Sequence, residues 1–135
     1  MPLSKVQLLD FPKISDDRGN ISFVEGKKHI PFDIKRVYYL YDVPTESQRG
    51  AHGHKTLEQV IIAISGSFEF TLDDGYNRQT FFLKKPWQGL YVPPMMWREL
   101  NSFSSGSVCF VLASDVYKED DYYRDYKEFL DDVKR

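Results

Sequence analysis

Cysteine is nearly absent from this 135-residue chain: the one residue, Cys109, leaves no partner for an internal disulfide. Cys109 lies in the apolar run Val108-Cys109-Phe110-Val111-Leu112, where a small buried hydrophobe is expected rather than a nucleophile. No apolar stretch reaches membrane-spanning length, and the first residues lack the basic start and apolar core of a secretory signal, which favours the cytoplasm and no membrane partner. An excess of charge is missing too. With 18 Lys and Arg against 20 Asp and Glu, the net charge is −2, with neither a polybasic arm for a nucleic acid polymer nor an acidic tail. Histidine is scarce, at three residues. Aromatics are abundant: nine Tyr, ten Phe and two Trp make 16% of the chain, more than a core of this size needs, and the surplus suits a pocket that covers a ring or sugar face.

At this length one domain spanning residues 1–135 is expected. Short apolar or alternating runs separated by Gly, Pro and Asp fill most of it. Strands are expected at Val6–Leu9, Asn20–Glu25, Lys35–Tyr41, Arg49–His54, Glu58–Ser65, Ser67–Leu72, Asn77–Leu83, Gly89–Val92, Arg98–Phe103 and Ser107–Ala113. Asp73-Asp74-Gly75 and Ser65-Gly66 are tight-turn signals. So many short strands with regular turns predict an all-β antiparallel barrel or double-sheet jelly roll. From Glu119 to Arg135, Tyr123, Tyr126, Phe129, Leu130 and Val133 recur at helical spacing, predicting an amphipathic C-terminal helix of about four turns capped by Asp120 or Asp121, a cover for apolar surface.

Two of the three histidines, His52 and His54, stand at i and i+2 in Arg49-Gly50-Ala51-His52-Gly53-His54-Lys55, which on a strand places both imidazoles on one face. Imidazole is both the commonest metal ligand and the side chain best suited to move protons near neutral pH. An H-x-H strand in a barrel suggests the cupin pattern, which adds a carboxylate and a third histidine to hold a metal. The carboxylate position falls on Glu58 or Gln59, and a bulge can favour either. Where the third histidine belongs, after Tyr91-Val92-Pro93-Pro94-Met95-Met96, stand Trp97 and Arg98; His29 lies in a loop. Two imidazoles beside a cation make a poor Zn²⁺ or Fe²⁺ site, so no metal or other cofactor is expected and the pair reads as acid and base. Arginines and tyrosines around it suit an anionic ligand with a ring.

Asp17-Arg18-Gly19, Arg36-Val37-Tyr38-Tyr39-Leu40-Tyr41, the R-G-x-H-x-H-K run at Arg49 to Lys55, Ser65-Gly66, Gly89-Leu90-Tyr91, Trp97, Phe103-Ser104, Val111-Leu112-Ala113-Ser114 and Asp121-Tyr122-Tyr123-Arg124-Asp125-Tyr126 occur in one order along nearly the whole chain. In this the chain resembles the WxcM-like (FdtA-type) dTDP-sugar 3,4-ketoisomerase family of the cupin superfamily. The resemblance implies a cupin-type jelly roll and a homodimer with exchanged strands. It also implies a dTDP-linked 4-keto-6-deoxyhexose as substrate, whose carbonyl moves from C4 to C3 without a metal, and a product that passes to an aminotransferase making 3-amino-3,6-dideoxy sugars. The expected base is His52, with His54 orienting it or relaying the hydroxyl proton, and with Tyr39 and Arg18 or Arg49 stabilising the enediolate. Arg36 and Arg98 are candidates for the diphosphate, and Tyr91 and Trp97 for the sugar or base. Two alternatives are a dTDP-4-dehydrorhamnose 3,5-epimerase-like enzyme, disfavoured by length and by the H-x-H strand, and a cupin that binds the sugar nucleotide without turnover.

Overall fold

The computed structural model describes residues 2–135. Twelve strands are followed by one helix: β1 (Gln7–Asp10), β2 (Lys13–Asp16), β3 (Gly19–Ser22), β4 (Arg36–Leu40), β5 (Arg49–His54), β6 (Gln59–Ser65), β7 (Phe68–Asp73), β8 (Arg78–Leu83), β9 (Gln88–Val92), β10 (Met96–Asn101), β11 (Val108–Ala113), β12 (Tyr122–Tyr123) and α1 (Tyr126–Val133). Two antiparallel five-stranded sheets form the body, in the orders β1-β9-β6-β11-β4 and β12-β5-β10-β7-β8, while β2 and β3 make a separate hairpin. This is the expected all-β double-sheet jelly roll with a C-terminal helix.

The sheets enclose a core of Ile61, Phe68, Phe70, Leu72, Leu90, Val92, Met96, Leu100, Cys109 and Val111, all nearly inaccessible. The alternation of β6 explains why its residues Val60 to Ala63 are all apolar. Ile61 and Ala63 face this core, whereas Val60 and Ile62 face a second cluster with Phe11, Ile30, Phe32 and Leu112 on the outer side of the first sheet. A third cluster, Trp97, Tyr123 and Phe129, lies outside the second sheet, where α1 covers it. Gly53 on β5 allows that cover: a Cβ there would stand 3.0 Å from the Met96 carbonyl oxygen and 3.5 Å from the Phe129 ring.

Three expectations change. The helix is eight residues long rather than about four turns, and its cap is Asp125, whose side chain accepts from the Lys127 amide; residues 119–121 form a 3₁₀ turn and Tyr122–Tyr123 an edge strand on β5. Helical spacing of the tyrosines concealed this change of conformation. The strand expected at Arg98–Phe103 begins at Met96, and β2, a strand with no buried residue, gave no apolar pattern to read. No helix among the described residues is long and apolar enough to cross a membrane.

Candidate active site

Between the sheets lies a cavity of about 320 Å³, lined by Arg36, Tyr38 and Leu40 of β4, Arg49 to His52 of β5, Gln59 and Ile61 of β6, Phe70, Arg98, Leu100, Cys109, Val111, Tyr122 and Arg124. Strand parity selects these residues. His52 and Arg98 are paired across β5 and β10, and Arg98 pairs onward with Leu72 of β7, so both polar side chains enter from neighbouring positions of one sheet. Arg49 and His52 differ in parity, yet both line the cavity. The register shifts between Arg98 and Leu100 opposite, and Gly50 adopts φ +71°, a bulge geometry that glycine accommodates without strain.

Arg98 is buried, with 2% of its surface exposed. Its Nη1 donates to Oε1 of Gln59 in a short contact, and its Nη2 lies 3.4 Å from the Met96 carbonyl oxygen. Gln59 in turn donates from Nε2 to the Tyr38 hydroxyl oxygen at 2.7 Å. Because that oxygen is the acceptor, the phenolic proton of Tyr38 remains free to donate elsewhere. Burial raises the Tyr38 pKa above its ordinary value, which keeps the phenol protonated. Glu58, the other candidate for this position, faces outward and accepts from the Tyr91 hydroxyl at 2.6 Å. The inward residue is therefore a neutral amide.

The imidazoles of His52 and His54 meet edge to face, their centroids 5.0 Å apart, and Tyr122 packs 5.2 Å from His52 and 4.4 Å from His54. Burial, and next the Arg98 charge, push both pKa values down to about 2, so both rings are neutral. A base poised near the working pH is the expectation; burial, with the Arg98 guanidinium as the second cause, makes His52 a neutral, weakly basic ring instead. His54 does not line the main cavity but stands behind it. Its Nδ1 lies 3.1 Å from Oδ2 of Asp121, while Asp121 Oδ1 accepts from the Thr56 amide at 2.8 Å and the Thr56 hydroxyl at 2.7 Å. In the neutral ring Nδ1 must donate to that carboxylate, which leaves Nε2 bare. The Nε2 atoms of both histidines are buried without a partner among the described residues.

Four guanidiniums, Arg36, Arg49, Arg98 and Arg124, line the cavity, and no carboxylate among the described residues does. Arg124 is held by Glu119 in a two-pronged contact of 3.1 and 2.9 Å and lies 4.0 Å over the Tyr122 ring. Such a lining suits an anion at its exposed guanidiniums and a neutral polar group deeper inside. A divalent cation does not fit. The third corner beside the two imidazoles is a guanidinium, which has no lone pair, and no cluster of three metal-ligating side chains occurs among the described residues.

His52, Arg36, Arg49 and Arg98 are thus brought together at the cavity. Five expected residues are not: His54 stands behind the cavity, and four others point elsewhere. Tyr39 alternates with Tyr38 along β4, points away from the cavity and packs on Phe110, with ring centroids 6.1 Å apart. Trp97 alternates with Arg98 and enters the cluster under α1. Tyr91 alternates with the buried Leu90 and Val92 and faces the outer cluster of the first sheet. Arg18 sits in the β2–β3 turn, paired with Asp16 at 2.8 Å and with 87% of its side chain exposed. The sequence reading passed over Tyr38, Tyr122, Arg124 and Asp121. The first was signalled by its parity with Arg36; the other three lie in the motif read as a helix.

The fold and its cavity define a class: a jelly roll of the cupin type in which guanidiniums and a neutral imidazole line the pocket. The chain belongs to the WxcM-like, C-terminal family, whose model matches residues 4–134. It is 49% identical over 123 residues, 91% of this chain and 88% of the relative, to the TDP-4-oxo-6-deoxy-alpha-D-glucose-3,4-oxoisomerase of Aneurinibacillus thermoaerophilus. A crystal structure of a histidine-to-asparagine variant of the 3,4-ketoisomerase QdtA from Thermoanaerobacterium thermosaccharolyticum, in complex with TDP-4-keto-6-deoxyglucose, is similar at a TM-score of 0.94 and 43% identity, covering 96% of this chain and 94% of that one. A 3,4-ketoisomerase from Helicobacter canadensis matches at a TM-score of 0.94 and 47% identity over 96% of this chain and 98% of its own.

The depressed histidine pKa values carry a consequence for stability. A histidine titrating at about 2 in the folded chain and near 6.5 in the unfolded one contributes stability that is complete above the unfolded value and is lost as pH falls below it. Between pH 7 and pH 5, urea unfolding should show stability falling, at the acid end by on the order of 1 kcal/mol per pH unit for each imidazole, with a shallower fall in His52→Gln. An equal pH dependence in the two proteins would show that His52 titrates alike in the folded and unfolded chains.

Proposed function

We propose that this protein is a dTDP-4-keto-6-deoxyhexose 3,4-ketoisomerase, an intramolecular oxidoreductase acting by acid-base chemistry. The observation that carries the reading is a neutral imidazole, His52, in a pocket whose charged lining groups are all guanidiniums. The relatives named above support the substrate class. Guanidiniums at the mouth suit the diphosphate, and the depth of the cavity suits the sugar.

The steps follow from that placement. His52 takes the proton from C3, and the electron pair left behind forms a C3–C4 double bond as the C4 carbonyl becomes an enediolate oxygen. Arg98 and the free phenolic proton of Tyr38 are the donors suited to that developing charge, replacing Tyr39 in the role first expected for it. The O4 oxygen gains a proton and the O3 hydroxyl loses one. The C3 carbonyl forms, and the proton on His52 is delivered to C4. One base serves two adjacent carbons, which a single imidazole position permits. The product, a 3-keto sugar nucleotide, is the substrate an aminotransferase needs to place nitrogen at C3. The whole chain acts as one domain in this account, in the cytoplasm, where nucleotide sugars are made.

A homodimer with exchanged strands is part of the same proposal. The β2–β3 hairpin pairs with neither large sheet and exposes Ile14 and Ile21 at 58% and 64%, a surface that a second copy would cover. Exchange would carry Arg18 with the hairpin, the one route by which it can serve a cavity. Light scattering should read twice the chain mass at micromolar concentration, and a single-chain mass there would contradict the exchange.

His52→Gln should lower turnover of dTDP-4-keto-6-deoxyglucose by about 10³-fold or more while TDP affinity stays within about threefold, since binding and chemistry use different atoms. Retention of a tenth of the activity or more would remove His52 from its role. Tyr38→Phe should cost about 10- to 100-fold and Tyr39→Phe less than about twofold; the reverse ranking would show that the outward tyrosine serves the reaction.

A further inference from the structure

Asp121 stands in the 3₁₀ turn that leads into β12, 67 residues along the chain from His54, and is tied to that histidine's surroundings at four points. Its main-chain carbonyl accepts from the Lys55 amide at 2.9 Å. Oδ1 takes both the amide and the hydroxyl proton of Thr56, which uses that oxygen for anchoring alone. Oδ2 is left with the Nδ1 edge of His54, a ring only 1% exposed. A carboxylate fixed by two donors on one oxygen cannot turn away, so the proton of the neutral His54 ring is confined to Nδ1. The charge balance makes the placement significant. Arg36, Arg49, Arg98 and Arg124 line the cavity without a carboxylate, and Asp121 is the acid that reaches the histidine pair from behind. When His52 accepts a proton from carbon, an imidazolium arises among those cations, and in a buried setting a nearby fixed negative charge lowers its cost.

We propose that Asp121 is a positioning residue of the ketoisomerase reaction: held by Thr56, it locks His54 with its proton on Nδ1 and Nε2 bare, and it counterbalances the charge that His52 acquires. It touches neither cavity nor substrate and acts through His54, which packs edge-on against His52 and beneath Tyr122. The catalytic clause rests on the ketoisomerase reading; the tautomer clause stands on the geometry alone.

The test joins kinetics to nitrogen NMR of the full-length protein with ¹⁵N-labelled histidine. In the wild-type protein His54 should show a protonated Nδ1 and an unprotonated Nε2. Asp121→Asn can offer an amide proton to Nδ1 in place of an acceptor, so the protonated nitrogen should change to Nε2 or exchange between the two. The same variant should lose on the order of 10²-fold in kcat on dTDP-4-keto-6-deoxyglucose, with KM and TDP affinity within about threefold, and Asp121→Glu should recover part of the loss. A wild-type His54 protonated at Nε2 overturns the lock even if Asp121→Asn does not fold. A changed tautomer with unchanged kcat overturns the catalytic clause, as does a kcat loss matched by lost TDP affinity with no recovery in Asp121→Glu. A wild-type protein that binds TDP but turns over no sugar fails the ketoisomerase reading and the catalytic clause with it, while the tautomer result still decides the lock.

Discussion

A guanidinium buried between two sheets is costly unless its protons find acceptors, and the arrangement of this cavity follows from how Arg98 is accommodated. Its Nη1 has the Gln59 amide oxygen and its Nη2 the Met96 carbonyl, and burial brings its own pKa down to about 10, still far above neutrality. The charge therefore persists in a low-dielectric setting. It helps keep both histidines uncharged, and it polarises the amide that presents the Tyr38 hydroxyl. It also occupies the corner where a cupin would otherwise complete a metal site. Arg98 on β10, with the neutral Gln59 in the carboxylate position, thus separates this pocket from a metal centre built on the same strands.

Neutral imidazoles and a permanent cation make a coherent acid-base device. In the proposed reaction, a buried histidine that is weakly basic in the free protein would become more basic when an anionic diphosphate and a developing enediolate enter beside it, because negative charge favours the imidazolium. Proton transfer then coincides with charge formation on the substrate. In the proposed reaction, the Arg98 guanidinium that helps burial depress the histidine before binding would offset the enediolate after it. Asp121, behind His54, supplies the only carboxylate contact of the histidine pair among the described residues and lies outside the space a substrate would occupy.

Much of this was legible in the chain. The H-x-H strand appears with its expected limits, Arg49–His54, and the absence of a third histidine pointed correctly to the cation at Arg98. Parity was the underused signal. Arg36 and Tyr39 cannot share a face of β4, nor Trp97 and Arg98 a face of β10, because successive side chains of an extended strand point to opposite faces. Arg49 and His52 do share the cavity because Gly50 breaks the alternation, and a glycine within a strand was the one hint of it. Glu58 against Gln59 was undecidable from spacing, since a bulge of one residue exchanges them. The C-terminal motif misled for a different reason. A 3₁₀ turn, an edge strand and a short helix in succession imitate one long helix in the spacing of their aromatics, and only tertiary pairing of β12 with β5 distinguishes them.

The measurement that bears most directly on the central claim is proton NMR of the product formed by the wild-type protein from dTDP-4-keto-6-deoxyglucose in D₂O. A base that takes its proton from C3 and returns one to C4 predicts a carbonyl at C3, with solvent deuterium at C4 wherever the base exchanges before return. A ketone retained at C4 with deuterium at C3 or C5 would mark an epimerase. Ring protons left intact while TDP binds would mark a binding protein, and either result would contradict the account.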